Sequence, residues 1–198
     1  MSTVTQILNW ISSSLLLPVI VLLLAALVSA LISLGGFCAT SLLLIQERRK
    51  RSDLLARLRA EELDVAAIEP DGIFSSHLAD MAKLDWNELE CEKYISEVRQ
   101  GYDRELERTR FLAKTAPMLG LMGTLIPMGP ALAGLASGNI GGMAYNMQIA
   151  FATTVVGCVV SGIALLVNSV KKHWYAEEIA DLTYVLDRTL AAREDEKK

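Results

Sequence analysis

The sequence predicts an all-α integral membrane protein with three transmembrane helices, the second and third extended into the cytoplasm, assembled as a homo-oligomeric bundle. Hydrophobic residues make up 52% of the chain. Between Lys114 and Lys171 there is no Asp, Glu, Lys or Arg. The first Asp, Glu, Lys or Arg is Glu47, so every charged residue lies in Glu47–Lys114 or Lys171–Lys198. A hydrocarbon core excludes charge and takes about 20 helical residues to cross. The charge-free stretches meet both conditions, which makes membrane lipid a partner. The net charge of -4 is carried by mixed-sign segments, which gives nucleic acid nothing to bind.

Residues 1–14 form an extracytoplasmic segment, with Trp10 placed as an interfacial aromatic. Residues 15–45 are the first span, an apolar run of about 46 Å at 1.5 Å per residue. No basic residue precedes it, and it exceeds the apolar core of a signal peptide, so it reads as a retained helix. Glu47-Arg48-Arg49-Lys50-Arg51 then places this end in the cytoplasm by the positive-inside rule.

A cytoplasmic helical region over 46–113 follows. Ser52–Leu63 has Leu54, Leu55, Leu58 and Leu63 near one face, and Pro70-Asp71-Gly72 makes a turn. A short helix is expected over Ser76–Leu84. Asp85-Trp86-Asn87-Glu88 has the form of a capping box with Asp85 as N-cap. With no proline until Pro117, Glu88–Lys114 should be one charged helix running into the second span, 114–136.

The glycine-rich, charge-free connection at 137–146 forms the extracytoplasmic turn, and 147–170 is the third span. Lys171-Lys172 return the chain to the cytoplasm. Residues 171–198 continue as a helix with Leu182, Val185, Leu186 and Leu190 at helical spacing. All three basic flanks agree on one multi-pass topology, with the amino terminus outside and the carboxyl terminus inside.

The two later spans are rich in small and hydroxylated residues. Gly120, Thr124, Pro127, Ala131 and Gly134 form a stripe on the second. On the third, Thr154, Ser161 and Asn168 recur every seven residues, with Gly157 between the first two. Such residues belong at helix contacts or along a polar path. Counting inward from Lys114 and Lys171 puts Thr124 level with Ser161, and Thr154 roughly 10 Å further out. That arrangement would be a track along the membrane normal. The plainer reading is that each hydroxyl bonds its own helix and the small residues only pack. Pro127 and Pro130 either bend the helix or free carbonyls beside the stripe.

No nucleophile–base pair, phosphate loop or metal cluster appears, so neither an enzyme nor a cofactor is expected. Cys38, Cys91 and Cys158 read as reduced thiols, and His77 and His173 stand apart from them and from each other.

Thr115-Ala116-Pro117-Met118-Leu119-Gly120-Leu121-Met122-Gly123-Thr124 resembles the T-A-P-x-L-G-L-x-G-T stretch of the MotA/TolQ/ExbB proton-channel family. Ala150-Phe151-Ala152-Thr153-Thr154-Val155-Val156-Gly157 is similar to its A-L-x-x-T-x-x-G stretch. Three spans agree with the TolQ/ExbB branch. The resemblance implies a homopentamer in the cytoplasmic (inner) membrane around two copies of a single-span ExbD/TolR/MotB-like partner, using the proton motive force for mechanical work. It also implies that Thr124 and Thr154 are the two pore-facing threonines. The candidate ion-path residues are therefore Thr124, Thr154, Ser161, Thr153 and Pro127. Gly120, Gly123 and Gly157 are the candidate packing residues. The chain departs from the pattern at Ile149, where the family has a Glu five residues before the second threonine, with Gln148 beside it here. Pro127 and Pro130 also lie outside the pattern.

With no Asp, Glu, Lys, Arg or His in any span, the titratable group is expected from a partner helix, as one Asp against the threonines. The competing reading is a non-conducting scaffold in which the small residues serve oligomer packing alone.

Overall fold

In a computed structural model that describes residues 2–59 and 72–195, the chain is a succession of four helices. They are α1 (Ser2–Arg59), α2 (Ile73–Lys83), α3 (Glu88–Ala136) and α4 (Ile140–Asp195). No strand occurs among the described residues. Three helices are long and apolar enough to cross a membrane, with candidate spans in Ser14–Phe37, α3 and α4. The protein is thus an all-α, multi-pass membrane protein. The expected end of the Ser52–Leu63 helix and the turn at Pro70-Asp71 lie outside the described residues.

The basic run after the first span does not interrupt α1, which continues as one helix through Ser52 to Arg59. Charge alone breaks no backbone hydrogen bond, and no proline follows Pro18 in this helix. The connection between α3 and α4 is shorter than the expected 137–146. Asn139 caps α4 by accepting a hydrogen bond from the Gly142 amide at 2.9 Å, so the helix starts at Ile140 despite two glycines.

The expected N-cap at Asp85 is not what forms. Asp85 and Trp86 both have φ of 52°, in the left-handed region, whereas an N-cap takes an extended backbone. The chain turns there through bonds from the Leu84 and Trp86 amides to the Met81 carbonyl. Asn87 takes the capping role instead, accepting from the Glu90 amide at 3.4 Å. Burial of the Trp86 indole, 5% exposed, offsets the backbone strain.

Two compact units make up the chain. The first comprises Met1–Gly35 and Glu107–Asn168. Its core is built from small and branched residues: Ala30, Ala116 and Val160, with Ala26, Leu27, Leu112, Val156 and Ile163 packed against them. On α1 the inward residues Val19, Leu23, Ala26 and Ala30 recur at four, three and four, one face of a helix. The remaining surface is apolar, as lipid contact requires: Leu17, Leu22, Ile32, Leu132 and Leu166 are all exposed.

The second unit comprises Gly36–Leu106 and Ser169–Lys198. It has the larger side chains of a water-soluble helical core, with Leu78, Met81 and Leu182 fully buried alongside Phe74, Ile95, Val185 and Leu186. Arg51 on α1 clamps α4, reaching Glu177 at 3.2 Å and Asp181 at 3.0 Å. Phe37 stacks on Trp174 and Tyr102 on Tyr175, with ring centroids 5.6 and 4.0 Å apart.

Candidate functional site

The first unit brings the predicted residues together along the seam of α3 and α4. Glycine makes the seam tight. A Cβ on Gly157 would lie 2.8 Å from the Ala116 carbonyl oxygen and 3.0 Å from the Gly120 Cα. One on Gly120 would meet the Thr153 carbonyl oxygen at 3.3 Å, and one on Gly123 would sit 2.6 Å from Thr153 Oγ1. The helices therefore touch backbone to backbone, the contact that small residues permit in a membrane. Gly120, Gly123 and Gly157 all lie in this close contact.

These contacts show the register, and it differs from the one counted from the basic flanks. Gly123 lies against Thr153 and Gly120 against Thr154, which places Thr124 at the level of Thr153 and Thr154. Ser161 lies against Ala113 instead, about 12 Å along the helix from that level. The flanking lysines mislead because they are not level. Asn168 is bonded by Thr109 at 3.4 Å, so Lys114 and Lys171 lie beyond this pair in opposite directions, about 12 Å apart in depth. The polar residues thus form one tier of threonines and a separate serine two turns away.

Each hydroxyl has a defined acceptor. Thr124 Oγ1 donates to the Leu121 carbonyl at 2.7 Å and Thr154 Oγ1 to the Ala150 carbonyl at 3.2 Å. Thr153, 6% exposed, donates to the carbonyls of Ile149 and Ala150 and is sealed inside the seam by Gly123. Pro127 is fully buried. Thr124 and Thr154 are only half-buried.

Helical geometry shows where those two threonines open. Ala116 on α3 and Val160 on α4 pack with α1, and they flank Gly120 and Gly157 on one side of the seam. Thr124 lies four residues from Gly120 on the other flank, and Thr154 three residues from Gly157 on the other flank. Both threonines therefore face the side of the seam away from α1. Leu121, Leu125 and Phe151 are exposed around them.

A second polar cluster, which the sequence reading did not single out, lies in the second unit. His77 Nδ1 is 2.8 Å from the Tyr94 hydroxyl, which donates to Asp80 at 3.1 Å. His77 Nε2 lies 3.4 Å from the Tyr102 hydroxyl and 4.0 Å from Glu178. Burial lowers the His77 pKa against the opposing pull of Asp80. Burial also pushes Tyr94 up to about 12, helped by its bond to Asp80. Beside this cluster Tyr175 and Lys171 both donate to Glu105, at 2.7 and 2.6 Å. Burial alone would raise the Glu105 pKa, but those two donors outweigh it and hold it low. The tyrosines, spaced eight apart on one helix, were the available sequence signal; their partners on α2 and α4 were not.

Among the described residues no group of three His, Cys, Asp or Glu side chains is placed to hold a metal ion. A family model described as the MotA/TolQ/ExbB proton channel family matches residues 62–183, more than half of the chain. The chain belongs to this family. Comparison with curated proteins and with solved structures gave no match. The family match takes in α2, α3 and most of α4, and so both walls of the threonine tier; the first span lies before it.

Proposed function

We propose that the chain is the proton-conducting subunit of a membrane motor, coupling an ion gradient to mechanical work through a single-span partner that carries an Asp. The observation that carries this reading is the tier of Thr124 and Thr154, level with each other and open on the side of the seam away from α1. Five copies arranged with that side inward would form a ring of hydroxyls around two partner helices. The amino terminus would then lie outside the cytoplasmic membrane and the carboxyl terminus in the cytoplasm, as the basic flanks indicate.

Chemistry divides the work between the two proteins. Threonine hydroxyls do not ionise near neutral pH, and the spans contain no Asp, Glu, Lys, Arg or His, so this subunit can line and relay but has no carboxylate, amine or imidazole to store a proton. A partner Asp among apolar walls would have its pKa raised by desolvation, into a range where it loads and unloads. In this chain Ile149 removes the family's own acidic helper, which leaves the partner as the source.

The test is proton flux through the co-reconstituted complex. Thr154→Val and Thr124→Val nearly preserve volume and remove the hydroxyl. Assembly should survive, and flux should fall by about fivefold or more, the weight of one net hydrogen bond. Comparable flux from this chain alone, or full activity in both variants, would refute the mechanism. The scaffold reading has one observation in its favour, that both hydroxyls already bond their own helix. It predicts no flux from the complete complex.

A further inference from the structure

Pro117 lies inside α3 and has no amide proton, so the carbonyl four residues earlier, that of Ala113, has no donor at its ladder position. The proline ring also crowds that carbonyl and tilts it off the helix axis. Ala113 is buried, at 9% exposure, at the head of the charge-free stretch beside Lys114, and a buried carbonyl left unpaired is costly. Ser161 on α4 donates its hydroxyl to that oxygen at 2.8 Å, and is itself 8% exposed.

We propose that Ser161 is a positioning residue that stands in for the missing amide of Pro117 and sets the register of α4 on α3. A serine in a helix usually bonds a carbonyl of its own preceding turn, as Thr124, Thr153 and Thr154 do here. Ser161 reaches across the seam because a carbonyl without a donor is waiting there. The glycine contacts permit close approach, but apolar surfaces tolerate sliding. One directed bond to one freed oxygen does not, since a slip of one turn, about 5.4 Å, would break it. The register that Ser161 holds is the one that keeps Thr124 level with Thr154. Its role is therefore distinct from lining a path: its proton is committed to Ala113.

Two comparisons in the full-length protein test this. Ser161→Thr keeps the hydroxyl and Ser161→Val has nearly the same shape without it. In the complex with its partner, Ser161→Val should conduct about fivefold less than Ser161→Thr, and should melt a few degrees lower in detergent. The second comparison restores the amide. In a Pro117→Ala background Ala113 regains its helical donor, so Ser161→Val and Ser161→Thr should melt alike. Equal behaviour of the two variants in the wild-type background would overturn the inference, as would an unchanged gap after Pro117→Ala. The flux arm rests on the conducting reading, whereas the melting arm does not. A complex that conducts nothing but shows the melting gap and its loss would overturn the proposed function and support the role of Ser161.

Discussion

Glycines of identical composition do different work in this molecule, and the distinction is decided by what a single added carbon would touch. At Gly157 it would meet the Ala116 carbonyl oxygen at 2.8 Å and the Gly120 Cα at 3.0 Å, both backbone atoms that cannot turn aside. At Gly129 and Gly162 it would meet nothing within 4 Å. Gly157→Ala should therefore force the helices apart and cost about 1–3 kcal/mol, as overpacking does. Gly129→Ala and Gly162→Ala should be neutral or slightly stabilising, since alanine is the better helix former. Thermal unfolding of the detergent-solubilised protein separates these outcomes. Equal melting of all three variants would show that the seam is not in backbone contact. The sequence marked Gly157 as a packing residue because small residues in a membrane span belong at helix contacts. The sequence kept both Thr153 and Thr154 as ion-path candidates. Neighbours in a helix differ by 100° in direction, and only the approach of Gly123 shows that Thr153 is the one sealed inside.

At the scale of helices, hydrophobic runs and breakers located α2 and α3 to within three residues, because an apolar period and a proline-free stretch act locally, whereas α4 starts seven residues before its expected beginning. Caps and register were less legible. The choice between Asp85 and Asn87 as N-cap depended on burying Trp86, and the relative depth of α3 and α4 depended on contacts across their seam rather than on the charges of either helix. Polar pairing between helices was not readable at all, as with His77, Tyr94 and Tyr102, whose meeting needs α2 packed against α3. That cluster has a consequence for acid stability. Burial lowers the His77 pKa below 6.5, so the fold favours the neutral ring and the unfolded chain takes up the proton more readily. Stability should therefore be full above about pH 6.5 and decline as pH falls from there to the folded value, flattening below it. Glu105, held below 4.5 by Lys171 and Tyr175, contributes a loss in the same direction at lower pH. Asp80, Tyr94, Tyr102 and Glu178 all face the ring, and His77→Gln removes the titration while leaving them in place. The variant should melt with a flatter pH dependence than wild type between pH 7 and 5.5. Identical slopes would show that His77 is not the group responsible.

For the molecule as a whole, the partition of charge in the sequence predicts topology more strongly than any single helix does. Three runs of basic residues, at Arg48–Arg51, Lys114 and Lys171-Lys172, each sit at the end of an apolar stretch, and one orientation puts all of them on the cytoplasmic side. The alternative orientation would place all three outside, and a four-span arrangement has no further apolar helix among the described residues to use. The reach of the helices makes this testable at distant points. Ser137 is exposed in the three-residue connection between α3 and α4, while Ser52 and Glu194 are exposed at the far ends of α1 and α4. Single cysteines at these positions, in a background with Cys38, Cys91 and Cys158 replaced, can be probed with a membrane-impermeant maleimide. In intact cells the Ser137 site should react, and the Ser52 and Glu194 sites should react only after the membrane is permeabilised. Labelling at Ser52 and Glu194 in intact cells, with Ser137 protected, would invert the topology. Labelling of Ser52 without Glu194 would mean that an odd number of spans separates them, which three concordant basic flanks do not allow.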